Sequence, residues 1–178
     1  GLSIYGALLG FLATSIVFLR KYGYNLWLWF DLMMPSILFG LIILQLANFM
    51  MQFSLGTPLG LDIPNDHSLA EYVEYRYRPT GFEAYQYFQP VALYQAFAYS
   101  IVFIISILCL LINRKYKFLA EGTVFLFSVI LMAIIRFGIG FMYFSVNKDM
   151  LLYPMQWIAL TVMIATVFIY VVKRFQHN

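Results

Sequence analysis

Apolar residues run along this chain in five long blocks, with short polar connections between most of them. The blocks are residues 2–19, 26–53, 91–112, 123–146 and 152–172, and the one long polar stretch is 54–90. Each block is close to the roughly 20 residues that an α-helix needs to cross a hydrocarbon core of about 30 Å. The pattern therefore predicts an all-α integral membrane protein. We expect about five transmembrane helices in a single transmembrane domain, 1–178, with one longer loop, 54–90.

Composition supports this prediction. Hydrophobic residues make up 63% of the 178 residues and charged residues only 11%, whereas a soluble domain has roughly 25% charged residues. The single cysteine, Cys109, lies inside an apolar block, so no disulfide or metal framework is available within the chain. We expect no metal and no cofactor.

The charged residues assign a side of the membrane to each connection. Seven basic residues flank one set of block ends: Arg20, Lys21, Arg114, Lys115, Lys117, Lys173 and Arg174. The opposite side carries fewer basic residues and most of the carboxylates. By the positive-inside rule, the loop 54–90 is extracytoplasmic and the C-terminus is cytoplasmic. Most of the basic residues behind the formal charge of +3 lie at the ends of apolar blocks, as membrane topology requires. The sequence has no basic groove with interleaved aromatic residues, so we expect no nucleic-acid partner.

The long loop contains two tyrosine-rich segments, "EYVEYRYR" and "FEAYQYF". Tyrosine is favoured at the lipid–water boundary, so these segments suit amphipathic pieces that lie on the membrane surface. A compact folded loop without lipid contact is the alternative, and the sequence leaves both open.

Arg136 is the only basic residue well inside a block. It lies roughly 20 Å from the inner end, in the outer half of the bilayer, where a charge usually marks a functional site or a buried pair. Asp31, the only acid inside a block, lies about 8 Å from the inner surface and is a poor match in depth. We expect the counter-charge to be a lipid headgroup or a partner subunit.

Polar side chains of the other blocks fall at the same outer level. They are Tyr5 in the first block, Gln45 and Asn48 in the second, Tyr94 and Gln95 in the third, and Gln156 in the fifth. Polar residues that only join helices to one another would be spread over both leaflets. The pattern therefore favours a polar cavity that contains Arg136 and opens to the outer leaflet. Interhelical hydrogen bonding without a ligand remains the alternative.

Five motifs in order identify a resemblance: "GLSIYGALLG", "DLMMPSILFG", "LQLANFMMQFSLGTP", "QPVALYQA" and "GTVFLFSVILMAIIRF". With Gln156 at the position of a late glutamine, they resemble the prolipoprotein diacylglyceryl transferase family nearly end to end. These bacterial inner-membrane enzymes move diacylglycerol from phosphatidylglycerol to a lipobox cysteine. The family has seven spans, so the resemblance implies that this chain lacks the first two.

The resemblance implies a set of lipid-binding residues. Asn48, Gly56, Tyr94 and Arg136 stand where the family has the same residues, and they would hold the phosphate and glycerol of the lipid. Tyr5 and Gln45 occupy two further positions of that site. We therefore expect these six residues to bind a phospholipid similar to phosphatidylglycerol.

The same resemblance shows seven replacements at polar positions. Tyr5 replaces a histidine, Gln45 an arginine, Phe53 a glutamate, Met132 a tyrosine, Gly140 a glutamate, and Gln89 and Gln95 a histidine and a glutamate. Acid–base catalysis typically contributes roughly 10²–10⁴-fold in rate, and a tyrosine with a pKa of about 10 is a poor base near neutrality. No residue is therefore predicted to be catalytic.

Three functions are compared on this basis. The first is a catalytically impaired member that binds phospholipid or serves as a structural subunit beside other membrane subunits. The second is an active phosphatidylglycerol:prolipoprotein diacylglyceryl transferase with a rearranged site. The third, a transporter or channel, has one buried cation and no proton-relay carboxylates to support it. In each case we expect the bacterial cytoplasmic membrane.

Overall fold

A computed structural model describes residues 4–60, 69–143 and 154–177, and the side chains of 4, 5, 7–9, 60, 174, 176 and 177 lie outside this description. Its helices are α1 (Ile4–Lys21), α2 (Leu26–Met50), α3 (Val91–Tyr116), α4 (Thr123–Ile139) and α5 (Pro154–His177). Within the described ranges, four helical stretches are long and apolar enough to cross a membrane: Leu26–Met50, Val91–Tyr116, Thr123–Met142 and Pro154–Lys173. The prediction of a helical integral membrane protein is confirmed.

Two helices end inside an apolar block. The second block covers residues 26–53, whereas α2 ends at Met50 and Gln52 adopts a left-handed backbone conformation with φ 53°. The fourth block covers residues 123–146, whereas α4 ends at Ile139 and continues as a 3-10 turn, Gly140–Met142. Residues 144–146 lie outside the described ranges. Apolar residues beyond a helix end extend the hydrophobic pattern without extending the helix.

Other helices extend past the predicted apolar blocks. The third block was predicted to end at 112 and the fifth at 172, whereas α3 continues to Tyr116 and α5 to His177. Hydropathy marks where the side chains stop being apolar, but helical hydrogen bonding continues through good helix formers such as Arg and Lys. These two helices are therefore longer than the apolar blocks that predict membrane spans.

The bundle is centred on the contact between α2, α3 and α4. Met34, Leu38 and Val102 are buried together. Partly buried side chains surround them: Phe103, Phe125, Val129, Leu131, Met132 and Ile135. Lipid tails are as apolar as these side chains, so close packing and interhelical hydrogen bonds hold such a core together. One bond of this kind joins the buried hydroxyls of Ser106 and Ser128 at 2.7 Å, between α3 and α4.

Asp31 joins α2 to the beginning of α4. Its Oδ2 accepts the N–H of Gly122 at 2.6 Å, and its Oδ1 accepts the N–H of Phe125 at 2.7 Å. The first N–H groups of a helix have no acceptor within the helix, so this carboxylate supplies one. Asp31 thus lies at the end of α4 opposite to Arg136, which agrees with the mismatch in depth that the sequence indicates.

The described part of the long polar stretch 54–90 folds as a small sheet. Its strands are β1 (Pro58–Gly60), β2 (Glu71–Tyr72) and β3 (Tyr87–Phe88), in the order β1-β3-β2 with antiparallel pairing. Val73 and Phe88 are fully buried beneath it. Strands of two or three residues are too short for an alternating pattern to be recognised. Of the two alternatives left open by the sequence, the described part of this segment supports a compact fold.

Side chains from outside the sheet hold it in place. The Gln52 side chain donates to the carbonyl of Tyr72 at 2.8 Å and accepts the N–H of Glu74 at 3.2 Å. These are bonds that a further strand beside β2 would make, so the end of α2 covers the sheet edge. Arg78 donates to the carbonyls of Val73 at 3.0 Å and Glu83 at 2.8 Å. The sheet is therefore fixed to the end of the bundle where α2 ends.

Glu71 is the one acid of this sheet that is buried, with 5% of its surface exposed. Neither carboxylate oxygen has a hydrogen-bond partner in the described part of the chain. Burial raises the pKa of Glu71 from 4.5 to about 7, because the charged form loses its hydration. The folded sheet therefore favours the protonated form.

We predict that Glu71→Gln stabilises the folded sheet at pH 8 and has little effect near pH 4.5. Glu71 ionises near 4.5 when the sheet unfolds but near 7 when it is folded. Its cost to folding therefore grows between these pH values, to about 3 kcal/mol above pH 7. Hydrogen exchange of the sheet amides, compared between variant and wild type at each pH, measures this difference.

Glu83→Gln is the matched control. Two contacts from the N–H of Gly81, at 3.0 and 2.9 Å, lower the pKa of Glu83. The Glu83 carboxylate thus stabilises the fold above its usual pKa, and this stabilisation is lost as the pH falls. Glu83→Gln should therefore weaken the protection of the sheet amides from hydrogen exchange at pH 8. Equal effects of Glu71→Gln at both pH values would contradict the assignment.

Candidate lipid-binding site

Alternating helix directions bring the predicted polar residues to one end of the bundle. Gln45 and Asn48 lie near the end of α2, Arg136 near the end of α4, Tyr94 and Gln95 in the first turns of α3, and Gln156 in the first turn of α5. Tyr5 belongs to the first turn of α1, and its side chain lies outside the described part of the chain. The predicted polar residues thus belong to helix turns at the same end of the bundle.

Gln45 and Asn48 bond to each other. The Asn48 Nδ2 donates to Gln45 Oε1 at 3.2 Å, and Gln45 is buried. The spacing of three residues puts both side chains on one face of α2. An arginine at residue 45, as in the resemblance, would supply a charge and a fork of donors, whereas the amide supplies one neutral acceptor to its neighbour.

Gln95 is the most completely bonded of these residues. Its side chain is 1% exposed, its Nε2 donates to the Tyr99 hydroxyl at 2.7 Å, and its Oε1 accepts the Tyr143 hydroxyl at 3.0 Å. Sequence reasoning missed both tyrosines. Tyr99 could have been found from its spacing of four residues on α3, whereas Tyr143 approaches from a distant part of the chain. Both the nitrogen and the oxygen of this amide therefore form hydrogen bonds within the protein.

Gly56 lies where three segments meet. Its N–H donates to the carbonyl of Gln89 at 3.1 Å, and it forms an isolated β-bridge with Tyr143. A Cβ at residue 56 would lie 2.5 Å from Val91 Cγ2 and 2.6 Å from the Gln89 carbonyl oxygen. The described contacts therefore explain this glycine by close backbone packing beside the Gln95–Tyr143 bond.

Tyr94 borders an apolar groove between α2 and α3. Its hydroxyl donates to the carbonyl of Leu69 at 3.4 Å, which connects the groove to the segment that carries the small sheet. The groove has a volume of about 510 Å³ and is lined by Ile42, Leu46, Leu69, Leu93, Tyr94, Ala96, Phe97 and Ser100. It is thus a mainly apolar surface with the Tyr94 hydroxyl at the end near the sheet.

Arg136 lies half-buried in the last turn of α4. Its Nη2 donates to Met155 Sδ on α5 at 3.5 Å, and a thioether is a weak acceptor. One turn later, Gly140 packs against the fully buried Gln156, whose Cγ would be 2.6 Å from a Cβ at residue 140. Gln156 Nε2 donates to the carbonyl of Phe137 at 3.3 Å. Gln156 therefore occupies the space that a larger residue at 140 would need.

The remaining replaced positions also lack acid–base groups. Phe53 is 80% exposed just beyond α2, and Met132 packs against the core of the bundle. Gln89 is used through its backbone, which bonds to Gly56 and Thr57. Over the described ranges, no group of three or more His, Cys, Asp and Glu residues is placed to hold a metal ion.

Comparison with known proteins identifies the family. The sequence profile described as prolipoprotein diacylglyceryl transferase matches residues 1–172. The chain belongs to this family. The resemblance inferred from the motifs is thereby confirmed.

Several curated relatives share the family name. The chain is 29% identical to the phosphatidylglycerol–prolipoprotein diacylglyceryl transferase of Shouchella clausii over 177 residues, which is 98% of this chain and 60% of the relative. It is 29% identical to that of Geobacillus kaustophilus, over 98% of this chain and 62% of the relative. The Bacillus licheniformis protein is 32% identical over 73% of this chain and 45% of its own.

The chain therefore spans about 60% of the length of the first two relatives. No solved structure matches it. The fold of this family member is described here from its own contacts, and the activity of the longer relatives is considered for it only as a proposal.

We predict that Tyr143→Phe destabilises the bundle by about 1–3 kcal/mol, because it leaves the buried Gln95 Oε1 without its donor. Adding Gln95→Leu should recover part of this loss, since the unsatisfied amide is then removed as well. Unfolding in mixed detergent micelles, followed by circular dichroism, measures all four members of this cycle.

Tyr75→Phe is the control, because Tyr75 is 71% exposed in the segment that carries the small sheet. It should leave the unfolding midpoint unchanged. Additive effects of the Tyr143 and Gln95 changes would show that their hydroxyl–amide bond contributes nothing to stability.

Proposed function

We propose that this protein is a phospholipid-binding member of the prolipoprotein diacylglyceryl transferase family in which transfer chemistry is impaired. Phosphatidylglycerol, which the curated relatives name as their lipid, is the proposed ligand. The protein would act in the bacterial cytoplasmic membrane with its C-terminus inside, as a lipid-binding or structural subunit beside other membrane subunits.

The state of Gln95 is the observation that carries this proposal. A transferase needs a base or a stabilised thiolate, together with a group that stabilises the departing phosphodiester. At Gln95 the chain has instead a neutral amide whose donor and acceptor are both engaged by tyrosines. Gln45 and Gln156 are likewise neutral, buried and bonded to other parts of the protein. These contacts support a structural role for the three glutamines, at positions where the transfer reaction would need acid, base or charged groups.

Arg136 supports the lipid-binding part of the proposal. A cation within a membrane span is costly and is usually retained for function. Its Nη2 donates to Met155 Sδ at 3.5 Å, so the guanidinium extends towards the beginning of α5. The phosphate of an anionic lipid would accept short, charge-assisted hydrogen bonds from this guanidinium. Tyr5, Asn48 and Tyr94 lie in helix turns at the same end and are proposed to contact the headgroup with it.

The groove beside Tyr94 supports the same ligand. Its volume of about 510 Å³ and apolar lining suit part of an acyl chain, and it begins at the level where the Tyr94 hydroxyl meets Leu69. An acyl chain there would keep a lipid in contact with the protein, while the polar end of the bundle holds the headgroup.

We expect no diacylglyceryl transfer from phosphatidylglycerol to a peptide containing a lipobox cysteine. The assay uses purified full-length protein in vesicles and follows the mass of the peptide. The Geobacillus kaustophilus relative serves as the positive control. Turnover by the wild type that Arg136→Gln abolishes would refute the impairment and support the alternative, an active transferase with a rearranged site.

We expect the wild type to retain phosphatidylglycerol over phosphatidylcholine, and Arg136→Gln to reduce this preference by roughly tenfold, the loss of one charge-assisted contact. Native mass spectrometry of the detergent-solubilised protein with each lipid added measures the ratio. Arg114→Gln is the control, because it removes the same charge at the opposite end of the bundle, where Lys115 and Lys117 remain. Equal losses in both variants would contradict a specific role of Arg136.

A further inference from the structure

We infer that Asp31 is a positioning residue: by capping α4 from α2, it fixes the depth of Arg136 at the far end of α4. The inference rests on the proposed binding of phospholipid by Arg136. It assigns a role in that binding to an acid that lies at the opposite surface of the membrane.

The carboxylate of Asp31 holds α4 by two bonds. The accepted N–H groups belong to Gly122 and Phe125, on either side of the residues where α4 begins. Two acceptors in one rigid carboxylate fix both the rotation of α4 and its position along its axis. The negative charge also matches the positive end of the helix dipole. Asp31 is 3% exposed, so water is not at hand to replace these bonds.

Packing on the other sides of Gly122 prevents α4 from taking a different position. Gly122 has φ +81°, and a Cβ there would lie 2.5 Å from Trp27 Cε3 and 2.8 Å from Lys173 Nζ. The ammonium of Lys173 lies 4.4 Å from the centre of the Trp27 ring. The beginning of α4 is therefore enclosed by α2 and α5, with the Asn25 side chain donating to the Glu121 carboxylate beside it.

The helix carries this fixed position to Arg136. From Thr123 to Ile139, α4 is one α-helix, and Arg136 lies about 20 Å along it from Gly122. A continuous helix moves along its axis as one unit, so a shift at the cap becomes a shift at Arg136. Charge-assisted hydrogen bonds form over a narrow range of about 2.7–2.9 Å. A small displacement of Arg136 would therefore weaken a phosphate contact.

Asp31→Asn tests the inference. Its amide keeps the shape of the carboxylate but replaces one acceptor oxygen by an NH₂ group, so one of the two bonds to α4 is lost. We expect the preference for phosphatidylglycerol over phosphatidylcholine to fall by about tenfold, as for Arg136→Gln. Ser128→Ala is the control within α4, because it loses the buried bond to Ser106 but leaves the cap intact. It should lower the unfolding temperature and keep the lipid preference.

A second readout reports the position of α4 without lipid. Gly138→Cys is made in a Cys109→Ala background. Residue 138 is exposed near Arg136, and a Cβ there meets nothing within 4 Å. The rate of labelling by a membrane-impermeant maleimide should change when Asp31→Asn is added and should stay constant when Ser128→Ala is added. If Asp31 only stabilises the fold, Asp31→Asn and Ser128→Ala should change the labelling rate to the same extent.

The two readouts separate the inference from the proposed function. If the wild type shows no preference for phosphatidylglycerol, the proposed function fails, and the labelling rates alone then decide the position of α4. If the wild type shows the preference and Asp31→Asn retains both preference and labelling rate, the inference is overturned. If Asp31→Asn does not accumulate in the membrane, Asp31→Glu, which keeps the charge but lengthens the cap, must change both readouts.

Discussion

Hydrocarbon offers no hydrogen bonds, so the polar groups of a membrane-spanning helix need partners within the protein. This constraint explains the contacts between the helices of this chain. Asp31 accepts the first N–H groups of α4, and Ser106 bonds to Ser128 in the core. Beyond the end of α2, Gln52 bonds to the edge of the small sheet. Each contact satisfies a donor or acceptor and at the same time joins two elements.

The same constraint shapes the polar end of the bundle. In a family whose relatives are named as transferases, residues such as Gln95, Gln45 and Gln156 are neutral amides that bond within this protein. A buried amide that is fully bonded strengthens a structure, whereas a catalytic group must keep a donor, an acceptor or a charge for its substrate. The bonds of these amides therefore join elements of the protein, and Arg136 adds a positive charge in the last turn of α4.

Much of the architecture could be predicted because membrane helices have a strong sequence signal. The apolar blocks predicted five helices in the order that the structure has, and four of the described helices are long and apolar enough to cross a membrane. The ordered motifs predicted the family, which the profile match over residues 1–172 confirmed. Helix ends do not coincide with block ends, since the left-handed Gln52 and the 3-10 turn at Gly140 lie inside apolar sequence. The sheet was missed because its strands of two and three residues carry no periodicity.

The candidate site was predictable only as a level in the membrane. The sequence by itself predicted a shared depth for Gln45, Asn48, Tyr94, Gln95 and Arg136, because helix rise and direction set the position along each span. Only the tertiary structure decided which of these side chains bond to one another and which approach from elsewhere, as Tyr143 approaches Gln95. It also decided that Asp31 caps α4. Such contacts depend on helix rotation and packing, which join residues that are far apart in the chain.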